Sequence, residues 1–376
     1  MPAAEAIDDA LIDRNRSCHK FEFVWNPMPR AARSPPRARP APSASAAPAA
    51  KHEPVVWGDY VPHDHLSAKN LGNAFLCAIA LTPSFGTLAR LFQTCDVARP
   101  AGDVCILWAT APIAFANVLF FVNVSVGFWL VGLVQRSFWL IDPYWTIIPP
   151  LLGHYYRAHP RSVYDANRSF AVLGLLWLWS WRLTHSYFRR EGWKFGERED
   201  WRYTKMARDM PRLWPLLSFF AVGLAQQPML VGITLPAASA HQVAAPLGPL
   251  DLLAVAGCVL GLLVAWSADN ELAEYMAVPP KVRTAVEPVL RGGLWGYSRH
   301  PNYFGEITFW TSFSLFSVGL GQPAMLVGTA FNTCVLLAVS LMTEERMLSR
   351  WLPARAALYR EYMRVTSPIV LWPQRA

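Results

Sequence analysis

Residues 293–306 read GLWGYSRHPNYFGE, and the chain runs on from them through an apolar segment that completes a membrane span. Five types of polar side chain fall within eight residues of this stretch: Arg299, His300, Asn302, Tyr303 and Glu306. So many polar groups are energetically expensive at a membrane boundary, and we interpret them as a functional site. The alternative is structural, with two snorkelling interfacial anchors, a helix cap and an internal salt bridge.

Pro301 lacks an amide donor, and its fixed φ suits the first turn of a helix, so we predict that the span begins there. Arg299 and His300 then lie on the entering loop. A phosphate can dock at such a helix start, against unpaired amides, the positive end of the helix dipole and the guanidinium. Asn302 and Glu306 are four residues apart, so they share one helix face and are predicted to point into the bundle.

The composition is that of a polytopic membrane protein. Of the 376 residues, 53% are hydrophobic and 16% are charged, with 17 Trp and 20 Phe. A window of about 20 apolar residues predicts an all-α integral membrane bundle of eight transmembrane helices. The predicted spans lie near residues 72–93, 106–134, 138–156, 169–188, 212–235, 248–268, 303–320 and 323–343.

The charge of the loops gives the predicted orientation. Eight Lys/Arg fall in residues 184–214, four in 281–299 and six after residue 343, whereas 236–247 and 319–323 carry none. By the positive-inside rule, the basic loops and both termini are cytosolic.

One loop contradicts this alternation, because residues 157–168 hold three arginines on the side predicted to be luminal. The net charge of +8 is spread over juxtamembrane loops, and we find no nucleic-acid-binding module. We therefore interpret the charge as a topology signal and expect no nucleic-acid partner.

Three regions are predicted along the chain. Residues 1–56 are rich in Pro, Ala and Arg, cannot form a core and are expected to be disordered. Residues 57–137 hold the N-terminal membrane spans, and residues 138–376 form the main membrane domain.

The six cysteines are scattered without metal-ligand spacing, so we predict no metal site. Cys95 and Cys105 share one predicted luminal loop. They either form a disulfide in an oxidising compartment or remain free thiols.

A second polar constellation ends the fourth span and enters the basic loop, where residues 179–203 read WSWRLTHSYFRREGWKFGEREDWRY. On a helix, Arg182, His185 and Arg189 fall at i, i+3 and i+7 and form a cationic stripe. Such a stripe binds phosphates or, alternatively, anchors the span on anionic lipid.

Asp269, in SADN at residues 267–270, ends the sixth span. An Asp at this place either accepts hydrogen bonds from a ribose or an amide, or caps the helix.

These motifs, in this order, resemble the steroid 5-alpha-reductase family, in particular its DUF1295 branch. The matching segments are WxxRL with a following His, EDxRY at 199–203, SADN, RHPNYxG at 299–305, and the tail from TEERM at 343–347 to Trp372. The resemblance covers residues 138–376. It departs from the family at Ala265, where a polar residue is usual, and at Glu271, where Gln is usual.

The resemblance implies an NADPH-dependent ene reductase of lipid or steroid metabolism. It assigns cofactor binding to Arg182, His185, Arg189, Arg202, Asp269, Arg299, His300, Asn302, Tyr303, Glu306, Tyr359 and Tyr362. Tyr359 and Tyr362 are expected either in a lid that packs on the nucleotide or on an amphipathic helix at the membrane surface.

Reduction of a conjugated C=C needs a hydrogen-bond donor for the developing enolate. Steroid reductases of this family use a Glu and a Tyr from early spans, but the spans before residue 135 contain no Glu. The nearest polar groups are Asp142 and Tyr144 in LIDPYW, and we assign them as catalytic candidates. A buried Asp142 would have a raised pKa and act as a protonated donor, or else Asp142 and Pro143 end or kink the helix.

The sequence therefore predicts a membrane oxidoreductase that uses NADPH to reduce an enone in a sterol-like or long-chain substrate. Two alternatives stay open. One is an S-adenosylmethionine-dependent methyltransferase of the isoprenylcysteine type, which shares a looser RHPxY motif. The other is a non-catalytic lipid- or sterol-binding membrane protein. The endoplasmic reticulum or another organellar membrane is the expected location, and the oligomeric state is left open.

Overall fold

A computed structural model describes Trp57 and residues 62–374, and the predicted disordered tail, residues 1–56, lies outside these. Within the described residues, every regular element is a helix, which confirms the all-α prediction. The first half contains α1 (Ala68–Ile79), α2 (Thr82–Thr94), α3 (Asp103–Thr110), α4 (Pro112–Phe120), α5 (Trp129–Gln135), α6 (Ile141–Ala158) and α7 (Ala166–Arg190).

The second half contains α8 (Trp201–Asp209), α9 (Trp214–Ser218), α10 (Gln226–Ile233), α11 (Leu235–Ala240), α12 (Pro249–Ala277), α13 (Pro280–Val286), α14 (Pro301–Phe313), α15 (Leu315–Gly319), α16 (Val327–Arg350) and α17 (Pro353–Val365). Two π-helical segments, Phe121–Phe128 and Phe219–Leu224, join α4 to α5 and α9 to α10. α14 begins at Pro301, which confirms the predicted helix start.

Five helical runs of the described chain are long and apolar enough to cross a membrane: Ala68–Thr94, Pro112–Gln135, Trp214–Ala240, Pro249–Ala277 and Pro323–Arg350. They indicate an integral membrane protein and coincide with five of the eight predicted spans. The other three predictions fall on α6, α7 and the α14–α15 pair, which are helical as well. These three less apolar segments carry Asp142, Arg182 and Glu306, respectively.

Small residues let α12 and α14 approach each other closely. A Cβ added to Gly261 would lie 2.6 Å from the carbonyl oxygen of Gly305 and from the backbone nitrogen of Phe309. A Cβ added to Gly305 would lie 2.6 Å from the backbone nitrogen of Ala265. Gly257 and Gly261 form a GxxxG pair, the spacing with which membrane helices bring their backbones together. This contact sets the start of α14 beside the end of α12.

Polar contacts at the other end of the bundle engage arginines of the basic loop 157–168. Arg168, only 1% exposed, bonds Asp251 through Nε and a terminal nitrogen, at 2.8 Å each. A terminal nitrogen of Arg161 donates to the Val97 carbonyl at 2.8 Å. Two of the three arginines that contradict the charge rule are therefore engaged in internal contacts.

Cys95 and Cys105 form a disulfide, with their Cα atoms 5.6 Å apart. The bond joins the end of α2 to α3. Of the two alternatives left open by the sequence, the structure contains the disulfide.

α7 ends in a left-handed turn that redirects the chain over the bundle. Gly192 has a φ of 62°, and the Trp193 amide donates to the Phe188 carbonyl at 2.8 Å, which is a Schellman ending. The loop that follows is held to α1, because the Asn70 side chain accepts from the Phe195 amide at 2.8 Å. The Phe138 amide, just before α6, donates to Glu199, so residues 191–200 lie at the same end of the bundle as the start of α6.

Candidate functional site

Polar side chains meet where the adjoining ends of α7, α12 and α14 come together, and Asp269 is at their centre. Its carboxylate accepts from the Arg182 guanidinium at 3.0 Å, from the Ser186 hydroxyl at 3.2 Å and from the side-chain amide of Asn302 at 3.3 Å. Three helices that are far apart in the sequence thus share one carboxylate. We call these residues, together with Glu306, the Asp269 cluster.

Arg182 joins two carboxylates of this cluster. It forms ion pairs with both Asp269 and Glu306 and is only 4% exposed. Glu306 also accepts from the Trp179 indole at 2.8 Å. Asn302 and Glu306 both face the bundle interior, as their spacing predicted. Because two carboxylates surround one guanidinium, the charge of Arg182 is already balanced within the protein.

The predicted stripe of Arg182, His185 and Arg189 is divided between two faces of α7. Arg189 contacts α12 through the Asn270 side chain at 2.8 Å and the Asp269 carbonyl at 3.0 Å. His185 instead stacks beside Trp266, with ring centroids 5.3 Å apart. Its Nδ1 is buried and has no hydrogen-bond partner in the described chain. Arg182 and Arg189 therefore share a site, and His185 lies at its aromatic margin.

Glu344 of α16 anchors the loop that enters α14. Its Oε1 lies 2.8 Å from Arg299 Nε and 3.0 Å from His300 Nε2. Because a carboxylate oxygen accepts, His300 Nε2 is the donor in this contact. The Tyr303 ring stacks on the imidazole at 5.3 Å. The sequence places Glu344 in the TEERM segment, but its contact with both residues was not predicted.

The C-terminal residues hold this loop from the other side. The Arg299 amide donates to the Ser367 carbonyl and its guanidinium to the Met363 carbonyl, both at 2.8 Å. The Tyr362 hydroxyl donates to the Ser298 carbonyl at 3.2 Å. Tyr359 and Tyr362 are both buried, and burial raises the pKa of each well above the usual tyrosine range. They therefore scaffold the loop as neutral side chains.

Asp142 lies in the first turn of α6, half-buried, and accepts no hydrogen bond from the described residues. The groups within electrostatic range of its carboxylate are Asp200, Glu199, Arg190 and Glu191. Two buried tyrosines, Tyr187 and Tyr203, are within electrostatic range of Asp142 as well. The structure thus places the Asp142 carboxylate among ionisable groups that the sequence patterns did not connect with it.

The EDWRY segment, residues 199–203, supplies several of the ionisable groups near Asp142. Glu199 accepts from the Phe138 amide at 2.6 Å, at the start of α6, and burial raises its pKa from 4.5 to about 7. Arg202 Nε pairs with Asp200 at 2.9 Å. Asp200 also caps α8, since it accepts from the Arg202 amide at 2.8 Å. The family-like motif therefore fixes two carboxylates near Asp142.

Tyr144, the second catalytic candidate, is not brought to these groups. Its hydroxyl donates to the Cys77 carbonyl of α1, and its ring packs on Phe128 at 5.0 Å. The tyrosines that face Asp142 come from α7 and α8 instead. The signal that could have identified Tyr203 is its place in the EDWRY segment.

The two departures from the family pattern have structural counterparts. Ala265 is 1% exposed and lies against the Gly305 backbone, so a larger side chain does not fit there without moving α14. Glu271 accepts from the Leu294 amide at 3.0 Å and so holds the segment that precedes the RHPNY loop. The residues at these two sites therefore help to hold α14 and its entering loop in place.

Comparison with known proteins identifies one family. The profile described as a protein of unknown function, DUF1295, matches residues 128–366. An uncharacterized protein of Schizosaccharomyces pombe is 26% identical over 271 residues, which cover 67% of this chain and 78% of the relative. No solved structure matches the chain. The matched stretch includes the helices that form the Asp269 cluster and the surroundings of Asp142.

Proposed function

We propose that this chain, which belongs to the DUF1295 family, is a membrane oxidoreductase that uses NADPH to reduce a C=C bond conjugated to a carbonyl in a lipophilic substrate. One observation carries the proposal. Side chains from α7, α12 and α14, taken from three separate motifs, converge on Asp269 in a buried polar cluster. Ionisable side chains buried where membrane helices meet are typical of a ligand site.

The proposal includes eight spans, with α6, α7 and the α14–α15 pair added to the five apolar runs. The Asp269 cluster, the RHPNY loop and the C-terminal helix then lie on the cytosolic side, where a soluble nucleotide is available. The Arg168 contacts and the disulfide lie on the luminal side, which suits an endoplasmic reticulum protein.

The residues of the cluster fit a nicotinamide dinucleotide. The carboxamide of nicotinamide has an N–H donor and a carbonyl acceptor. The Asp269 carboxylate can accept from the first, and the side-chain amide of Asn302 can donate to the second. Two buried nitrogens, Arg182 Nε and His185 Nδ1, have no hydrogen-bond partner in the described part of the chain. Arg189 and Arg299 supply positive charge for phosphates. NADPH would be held by these residues, and when bound it supplies a hydride.

The remaining chemistry belongs to the protein. The β-carbon of the enone accepts the hydride, and negative charge develops on the substrate carbonyl oxygen. Asp142 is the proposed donor to that oxygen, because its carboxyl group has no hydrogen bond within the described chain and lies in a polar surrounding. A preorganised donor at this point stabilises the enolate and can deliver its proton. The apolar spans hold the lipophilic part of the substrate and exclude water.

Ligand-dependent thermal stability tests the proposal. NADPH, NADH and S-adenosylmethionine are added separately to protein purified in detergent, since a ligand that binds the folded state raises its apparent stability. NADPH is expected to raise the melting temperature most, and a long-chain 2-enal should then be reduced at the expense of NADPH absorbance. A shift with S-adenosylmethionine alone would replace the reductase by the methyltransferase. No shift with any of the three would favour the non-catalytic binding protein.

A further inference from the structure

Three other carboxyl groups lie within electrostatic range of Asp142 at the start of α6. Asp142 comes from α6, Glu191 and Glu199 from the loop after α7, and Asp200 from the cap of α8. We call them the acidic cluster. The guanidinium groups that face it are Arg190 and Arg202, and the tyrosines that face it are Tyr187, Tyr203 and Tyr303. Four carboxylates against two guanidiniums leave an excess of negative charge, which favours uptake of a proton.

Glu191 adds an independent observation. It is 4% exposed, and its Oε1 is 3.3 Å from Arg190 Nε. Its Oε2 is buried and has no hydrogen-bond partner within the described chain. A buried oxygen without a donor is costly unless a proton or a water molecule occupies the space beside it. In the residues described, these carboxyl groups are not arranged in a set of three that would hold a metal ion.

Glu199 is the member of the acidic cluster that is hydrogen-bonded to the backbone just before α6. The Phe138 amide donates to its Oε2 at 2.6 Å, and the Asp200 amide donates to its Oε1 at 3.2 Å. These fixed donors hold the carboxyl group beside the segment that leads into α6, within electrostatic range of Asp142, four residues after Phe138. A pKa raised by burial to about 7 keeps both protonation states of Glu199 populated at neutral pH, as a proton carrier requires.

We propose that Glu199 transfers protons from the cytosol to Asp142 between turnovers, an inference that rests on the proposed reductase function. Each cycle adds one hydride to the β-carbon and one proton from Asp142 to the enolate oxygen, and the resulting enol tautomerises to the saturated carbonyl compound, so Asp142 is left as a carboxylate. Glu199 then gives its proton to Asp142 and takes another from water. The sum is one C=C bond, one NADPH and one proton converted to one CH–CH bond and one NADP⁺.

The test compares single and repeated turnover of Glu199→Gln in the full-length protein, with NADPH and a long-chain 2-enal as probes. Gln keeps the shape of the side chain but carries no transferable proton. The first turnover, in which Asp142 is already protonated, should keep the wild-type rate, and kcat should fall roughly 10-fold or more. The inflection of kcat near pH 7 should disappear. Small weak acids such as acetate should restore part of the rate.

Two further variants complete the experiment. Glu345→Gln removes an exposed carboxyl group of α16 and should leave both rates unchanged. Glu199→Asp retains a transferable proton and should recover repeated turnover more than Gln does. Wild-type kcat and pH profile in Glu199→Gln would overturn the relay alone. If the wild-type protein oxidised no NADPH with any enal or enone, the reductase proposal itself would fail, and the relay with it.

Discussion

Asp142 and Tyr144 lie on opposite faces of α6. Two residues along an α-helix correspond to about 200° of rotation. Asp142 accordingly faces ionisable groups of the 190–200 loop, whereas the Tyr144 hydroxyl donates to the Cys77 carbonyl of α1. The Tyr144 face continues along α6 into Ile148 and Tyr155, which line an apolar groove of about 90 Å³. One helix thus separates a group of ionisable side chains from a hydrocarbon-lined groove, and the two catalytic candidates belong to different sides.

This separation predicts different effects of two conservative variants. Asp142→Asn removes the acid on the polar side, so reduction of an enone should fall by roughly 100-fold or more, the scale of losing one oxyanion donor. Tyr144→Phe removes a hydrogen bond to a backbone carbonyl and should change turnover much less. Steady-state kinetics with NADPH at saturation measures both. If Tyr144→Phe proves the more damaging, the substrate carbonyl lies on the groove side of α6.

Asn302 provides a test of cofactor binding. Its amide contacts Asp269, so Asn302→Ala should weaken NADPH binding by roughly 10-fold, as expected for loss of a hydrogen bond to a charged group. Asn167→Ala, at an exposed position of α7 far from the cluster, is the matched control. Titration of NADPH followed by thermal shift gives the affinities. An unchanged affinity in Asn302→Ala, with normal folding, would return Asn302 to a purely structural role.

The contact between α12 and α14 predicts a strong effect of one methyl group. Gly261→Ala places a Cβ about 2.6 Å from backbone atoms of Gly305 and Phe309, which cannot move independently of α14. We expect a loss of about 1–3 kcal/mol and a weaker NADPH shift, because α14 carries Asn302. Gly174→Ala on α7 meets no atom within 4 Å and should stabilise the helix by about 0.5–1 kcal/mol. Equal thermal stability of the two variants would contradict this packing.

Much of the fold follows from the sequence, because apolar length and a proline at a helix start are local signals. Pro301 fixed the beginning of α14 in this way. The partners of the polar residues were not local. Glu344 meets His300 across 44 positions, and Arg168 meets Asp251 across 83. Such contacts depend on which helices pack together and how closely. No single motif in the sequence carries that information.

The positive-inside pattern predicts which loops lie on the cytosolic side of the membrane and which lie on the luminal side. Reporter tags at residue 205 and at the C-terminus should report the same, cytosolic side, because both belong to basic segments at the Asp269 end of the bundle. A tag inserted at residue 244, between α11 and α12, should report the opposite side. Cys95 and Cys105 should resist a thiol reagent until a reductant is added, since they form a disulfide. Opposite sides for the first two tags would break the eight-span arrangement.

Glu199 also predicts how stability changes with pH. Burial raises its pKa in the folded protein from 4.5 to about 7, and unfolding returns the group to its ordinary value. Between these two values the folded state binds more protons than the unfolded state, so the stability supplied by this proton falls as pH rises and is lost above about pH 7. Glu199→Gln stays uncharged throughout and removes this dependence. The melting temperature of the wild-type protein should therefore drop relative to that of the variant as pH rises from about 5 to about 8, whereas Glu345→Gln should follow the wild type. Parallel curves for wild type and Glu199→Gln would mean that the carboxyl group titrates in the folded protein at its ordinary pKa.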